Sequence, residues 1–366
     1  MNKKIMVIAL IGLSFLIAGC QQEDQNNGTS FIGGQEGLDI SFMDQAPPDQ
    51  VADQGDQSFD VVVELQNQGE AEIQPEDVLV ELKGFSPDDF GKSIEDLTKN
   101  ANDTIQANEQ VPGEDRVIDS PPVFVEFTDF IYEGAAQTNL DYTMQADVCY
   151  SYETQVAASL CIGENLNRPD LNDICSLTRQ ENPPNSGAPV QVADFSQSPG
   201  GSDAVRFSFT VQNANSENGE VYRTNSQCEE DRSNSDQVFV QVSGLESTGE
   251  VSCTGLREGT SSSGFTRLGN NQETEVHCSL EIPESNRNDR LENFVIEVGY
   301  DYLESVQKQE QCKQSSQYCE HEVQQENKRV CHNGSSKRRH CRRLRRRIPQ
   351  GYPRKTGRRS RPVCSA

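Results

Sequence analysis

The sequence contains no Trp and only four His, and Lys is scarce: five occur before residue 308, two of them within the first twenty residues. Hydrophobic residues make up 33% of the 366, and mean hydropathy is −0.71. That balance gives lean cores and polar loops and excludes a membrane-embedded body. The leading apolar run, residues 5–17, spans 13 residues, too short to cross a bilayer comfortably. No GxSxG, HExxH, GxGxxG or P-loop occurs, so those nucleophile, metal and phosphate chemistries have no motif to stand on. Residues 30–307 hold one His, His277 in TEVHCSL, where alternation puts it on the opposite face from Cys278. No CxxC pair occurs either, which ranks zinc well below disulfides. No catalytic residue, metal ligand or cofactor is therefore assigned. With 54 acidic residues before position 308, any chosen carboxylate pair would be arbitrary.

Charge is the strongest compositional signal. Asp+Glu number 58 against 32 Lys+Arg, a net of −26. Residues 1–307 carry 15 basic and 54 acidic residues, a net of −39. Such a surface repels nucleic acid. A Lys-poor acidic surface suits very high salt, where a Debye length of about 3 Å at 1 M screens self-repulsion. An acidic secreted protein in ordinary medium is the plainer alternative. Asp231, Asn234 and Asp236 form one candidate calcium cluster, but without an EF-hand pattern a solvated face is the favoured reading.

Residues 1–20 read MNKKIMVIALIGLSFLIAGC. Lys3 and Lys4 precede the apolar run, and Ile17-Ala18-Gly19-Cys20 matches a lipobox. Cleavage before Cys20 would leave its thiol to carry lipid, placing the mature protein on the outer face of a membrane. A plain signal peptide with a chance Cys is the alternative, but the apolar run ends where a lipobox requires it. Residues 20–29 read as a flexible tether. Asn27, Asn102 and Asn333 begin Asn-x-Ser/Thr sequons, which are compatible with export.

The body is an internal repeat. Leu65-Gln66-Asn67 follows the alternating FDVVVE, and Val211-Gln212-Asn213 follows VRFSFT. DVLVELKGF ends at Gly84-Phe85, and QVFVQVSGL ends at Gly244-Leu245. Tyr150-Ser151-Tyr152 matches Tyr300-Asp301-Tyr302. Phe42 and Pro47 match Phe195 and Pro199. The offsets of 146, 160 and 150 residues vary only as loops would. Each segment alternates apolar and polar residues, the pattern of half-buried strands. Gly84 and Gly244 are expected at positive φ. The only helical signal is a turn or two over residues 88–100. The four Tyr read as packing residues on penultimate strands. The expectation is an all-β chain of two tandem antiparallel β-sandwiches. Its parts are a signal peptide at 1–19, a tether at 20–29, sandwich 1 at 30–182, a linker at 183–187 and sandwich 2 at 188–307.

Gly37-Leu38, Phe42, Pro47-Pro48, Leu65 and Asn67-Gln68-Gly69, then Cys149-Tyr150-x-Tyr152-x-Thr154, Cys161-Ile162 and Gly187-Ala188-Pro189-Val190, resemble a group of uncharacterised archaeal surface proteins. The resemblance covers about residues 30–307. It implies tandem immunoglobulin-like sandwiches related to CARDB-type adhesion modules, and it carries no catalytic residue. The function it suggests is a non-enzymatic surface lipoprotein working in adhesion or envelope interaction. Its partners would be the membrane through Cys20 and a protein or polysaccharide of the envelope. A calcium- or small-ligand-binding surface protein is the alternative, and an envelope hydrolase ranks third.

Six Cys lie in the repeat: Cys149, Cys161, Cys175, Cys228, Cys253 and Cys278. Fifteen pairings are open. Proximity along the chain makes Cys161 with Cys175, and Cys253 with Cys278, the candidate disulfides.

From Lys308 the composition breaks: residues 308–366 carry 17 basic and 4 acidic residues and five Cys. Strand alternation is expected to stop there. Three readings compete: a disordered basic tail that binds acidic surfaces, a metal cluster from Cys312, Cys319, His321, Cys331, His332, His340 and Cys341, and a frameshift product. No function is based on this segment.

Overall fold

Alternation decides which face of each strand is interior, and the long strands follow it over most of their length, although residues 146–150 are buried on both faces. The computed structural model describes residues 31–313 apart from 56, 112–113, 115, 135–139, 168–173 and 230, and excepting the side chains of 310, 311 and 313. The first half contributes β1 (Leu38–Phe42), β2 (Gln50–Ala52), β3 (Ser58–Asn67), β4 (Val78–Lys83), β5 (Thr98–Asn100), β6 (Glu109–Gln110), β7 (Val117–Ile118), β8 (Val123–Ile131) and β9 (Leu140–Ile162). The second contributes β10 (Arg179–Glu181), β11 (Val190–Pro199), β12 (Ala204–Asn213), β13 (Gly219–Tyr222), β14 (Gln237–Ser243), β15 (Glu250–Thr254), β16 (Ser263–Arg267), β17 (Glu273–Glu281) and β18 (Arg290–Lys313). The expected turns over 88–100 are two 3₁₀ segments, Pro87–Phe90 and Ile94–Leu97, followed by β5. Gly84 and Gly244 sit at φ 91° and 94°, as their turns require.

The chain is all-β, and its large sheets are built from antiparallel pairs except for the parallel pair of β2 with β18. One eight-stranded sheet has the path β16-β14-β18-β9-β4-β5, with β13 and β2 also on β18. A three-stranded sheet, β1-β3-β8, and a five-stranded sheet, β10-β11-β12-β17-β15, complete the two halves. The shared order β1-β3-β8 and β11-β12-β17 follows the sequence repeat.

The halves do not hang as two bodies on a linker. β9 and β18 pair antiparallel along their whole length, from Ile162 with Arg290 to Leu140 with Cys312. At about 3.3 Å per residue this ladder runs roughly 75 Å. Each half therefore borrows the far end of the other's last strand. In the second half, Gln197 of β11 brackets Cys161 of β9, accepting from its N–H at 2.8 Å and donating to its carbonyl at 2.7 Å. In the first half, β18 continues beside β2, with Cys312 against Val51. Most of the buried apolar residues form one cluster across both halves, from Leu38 to Cys312, while Cys149, Tyr222 and Cys228 form a small separate one. The Tyr pairs thus lie on the final strand of each repeat, not the penultimate one.

Two boundaries differ from expectation for the same reason. The 183–187 segment is zipped to β9: Ala157 N–H donates to Pro184 O at 3.1 Å, and Ser186 N–H to Gln155 O at 2.8 Å. The strand expected to fail at Lys308 continues to Lys313. Its polar sequence has a ready-made partner in the first residues of β9, so ladder hydrogen bonds hold it where propensity would not. Residues 314–366 lie outside the described residues, as do Cys319, His321, Cys331, His332, His340 and Cys341.

Candidate functional site at the junction of the halves

The β9–β18 register places Tyr152 opposite Tyr300, Tyr150 opposite Tyr302, and Ser151 opposite Asp301. Because the repeat offset here is 150 residues, exchanging the halves maps each pair onto the other. Ser151 and Asp301 therefore mark a local two-fold axis. Side chains alternate along strands, so all four Tyr enter the core and Ser151 and Asp301 face outward. The four rings close a square, with centroids 5.8 Å (Tyr150–Tyr152), 5.9 Å (Tyr150–Tyr302), 6.1 Å (Tyr300–Tyr302) and 6.4 Å (Tyr152–Tyr300) apart. Each such pair is worth about 0.5–1.5 kcal/mol beyond area burial.

Buried hydroxyls need partners. Tyr152 donates to Asn67 Oδ1 at 2.9 Å, and Tyr302 donates to Asn213 Oδ1 at 3.2 Å. The same Asn oxygens accept from Gly69 N–H and Asn215 N–H, closing the turn after β3 and β12. This is what the repeated Gln-Asn does. A Cβ on Gly69 would collide with the Tyr152 hydroxyl and the Gly187 carbonyl, so Gly is required where the turn passes the ring. The other two hydroxyls accept from β1 and β11: Leu38 N–H to Tyr150 at 3.3 Å, and Val190 N–H to Tyr300 at 3.2 Å. Burial raises the pKa of all four phenols, so they stay protonated near neutrality.

Symmetry breaks at the position shared by Thr154 and Glu304, as it does at Ser151 and Asp301. Tyr300 meets Thr154 Oγ1 at 3.2 Å, whereas Tyr150 donates to Glu304 Oε1 at 3.2 Å. Burial pushes the Glu304 carboxyl up to about 7; the Tyr150 hydrogen bond opposes this, and Glu36 and Asp39 add to it. Glu304 lines a cavity of about 410 Å³ with Glu36, Asp39, Asn215 and Glu217.

On the outer face, Asp301 is buried at 1% exposure. It accepts from Ser151 Oγ at 2.7 Å and from the N–H groups of Asn225, Ser226 and Gln227 at 3.2, 2.8 and 2.9 Å, with Ser226 Oγ at 3.2 Å. Both carboxylate oxygens are engaged, which suits an anchor and not a general base. What they anchor is strained: Asn225, Gln227 and Cys228 have φ of 61°, 52° and 53°. Cys228 then bonds Cys149 of the first half, with Cα atoms 5.9 Å apart. Further along, Arg223 stacks 3.7 Å from the Phe265 ring centroid and pairs with Glu258 at 2.6 Å. This flanks a polar cleft of about 360 Å³ that Arg257 and Arg267 also line.

Of the residues singled out from sequence, Cys20 lies outside the described residues. Cys161 is joined to Cys175, and Cys253 to Cys278. Proximity along the chain has no access to the third bridge, whose Cys are 79 residues apart. Asp231 is absorbed in its own turn, accepting from Ser233 N–H at 2.9 Å, while Asp236 Oδ1 accepts from Gln272 at 3.1 Å. His277 is exposed beside Glu275. Among the described residues no three His, Cys, Asp or Glu converge to hold a metal. Sequence reasoning missed Glu304 and the anchoring role of Asp301, because neither has meaning until β9 and β18 are paired. No protein-family model and no curated protein matches the chain.

Proposed function

We propose that the chain is a non-enzymatic lipoprotein, anchored by lipid on Cys20 to the outer face of a membrane. Its body would be two immunoglobulin-like sandwiches of CARDB type, serving as an adhesion or envelope-interaction module. The observation that carries the reading is how the junction uses its polar groups. The four Tyr hydroxyls, both Asn and Asp301 are all occupied inside the protein: the two Asn close turns within their own halves, while Tyr150 with Glu304, Tyr300 with Thr154 and Asp301 with Ser151 cross between halves. The result is a stiff two-part body that offers loops and edges as contact surface. The three disulfides among the described residues suit an oxidising compartment outside the cytoplasm. The test is binding of the purified chain to envelope fractions, alongside the intact mass of protein extracted from membranes. Saturable binding and a lipidated mass support the proposal. Turnover of envelope polymers, or a mass without lipid, overturns it. The second reading, a calcium- or small-ligand-binding surface protein, draws on the carboxylates around Glu304. A calcium-dependent rise in melting temperature would put it first.

A further inference from the structure

The two halves treat one sheet edge differently. In the second half, β17 is flanked by β12 on one side and β15 on the other, with Cys253 bonded to Cys278 across the latter pair. Its counterpart β8 has β3 on one side and, among the described residues, no strand on the other. An open edge of nine residues is a template for pairing with another chain. Here side chains take the place of a strand. Lys92 Nζ donates to Thr128 O at 2.7 Å, Lys99 Nζ to Glu126 O at 2.7 Å, and Asn102 Nδ2 to Phe124 O at 3.3 Å. These are alternate carbonyls, the set directed away from β3. Each Lys also lies over a ring of the same strand, Lys92 over Phe130 at 5.1 Å and Lys99 over Phe127 at 5.2 Å. The weakest of the three covers is Asn102, and beside it Phe124 is 38% exposed.

Asn102 also opens Asn102-Asp103-Thr104, the one sequon among the described residues. Asn102 and Asp103 form an exposed bend, pinned on either side by buried Ala101 and by Ile105, which bridges to Ile73. We propose that Asn102 is an N-glycan attachment site, and that its saccharide covers the Phe124 end of the β8 edge. The donor class is a lipid-phosphate-linked oligosaccharide. Asn102 Nδ2 attacks the first sugar carbon, the carbon–oxygen bond to phosphate breaks with its electron pair leaving on phosphate, and Nδ2 gives up one proton. The remaining N–H still serves Phe124 O. A sequon acceptor belongs on an exposed surface of an exported protein, so the inference rests on the location proposed above.

The test is mass spectrometry of the protein from its native membranes. Trypsin releases residues 100–116, which contain no other sequon. The expected result is a saccharide mass on Asn102, lost in Asn102→Gln and in Thr104→Ala and retained in Thr104→Ser. An unmodified 100–116 peptide together with a lipidated Cys20 peptide overturns the glycan and leaves the location standing. An unmodified peptide together with unlipidated Cys20 overturns both.

Discussion

Thr154 and Glu304 occupy one position in the two halves, 150 residues apart, and each sits beside the hydroxyl of a buried tyrosine: Tyr300 for Thr154, Tyr150 for Glu304. The neutral partner is stable at any ordinary pH. The acidic one is not, because burial raises its folded pKa to about 7 while an unfolded Glu titrates near 4.5. A raised carboxyl pKa favours the folded state below the unfolded value, and that advantage is lost as pH rises through the folded one. Melting temperature should therefore fall between pH 5 and 8 in the native chain. Glu304→Gln should remove that slope, gaining at most about 3 kcal/mol at pH 8, from 1.36 kcal/mol per pKa unit. An unchanged slope in the variant would refute the assignment.

The Cys149–Cys228 bridge crosses between halves and closes a loop of 79 residues. Chain entropy gives such a bridge about 4 kcal/mol. Non-reducing peptide maps should recover these two cysteines linked. Cys149→Ser with Cys228→Ser should lower the urea midpoint more than loss of the 14-residue Cys161–Cys175 bridge. A map that links Cys149 elsewhere would contradict the junction described here.

Asn67 serves both the turn after β3 and the Tyr152 hydroxyl. Tyr152→Phe should cost about 1–2 kcal/mol, one buried hydrogen bond. Asn67→Ala should cost more, since it also leaves Gly69 N–H unpaired. Their double-mutant cycle should show coupling of about 0.5–3 kcal/mol, and Asn213 with Tyr302 should behave alike. Additive losses at both sites would mean that the shared geometry carries no shared energy.

Repeat, alternation and turn glycines were legible because each is local: a strand's face is written in its own residues. The short-range pairs Cys161–Cys175 and Cys253–Cys278 were legible for the same reason. Partner choice is not local. Alternation in DVCYSYETQV says that Tyr150 and Tyr152 face inward, but not that the strand beside them belongs to the other copy. Every junction feature depends on that pairing: the Tyr square, Glu304 against Tyr150, Asp301 holding the Cys228 loop. The segment 308–313 was misread on composition, since Gln307 and Gln309 point to solvent and Cys312 alone is buried among residues whose side chains are described. Burial and Asp53 push that thiol up to about 11, so it is a poor nucleophile.

Lysine use gives the last prediction. Residues 31–307 contain three Lys. Lys83 pairs with Asp147 and Glu81, each at 3.0 Å, while Lys92 and Lys99 both cover the β8 edge. In a chain so poor in Lys, placing two of three on one open edge is what protection against strand addition would produce. Lys92→Ala with Lys99→Ala frees the Thr128 and Glu126 carbonyls to accept a strand from another molecule. The fold should survive, because β8 keeps its ladder with β3. Sedimentation velocity should then show concentration-dependent association that the native chain lacks, and Lys92→Arg with Lys99→Arg should restore the monomer. If the double Ala variant stays monomeric at the same concentrations, the two lysines are surface charges and the edge is protected by something else.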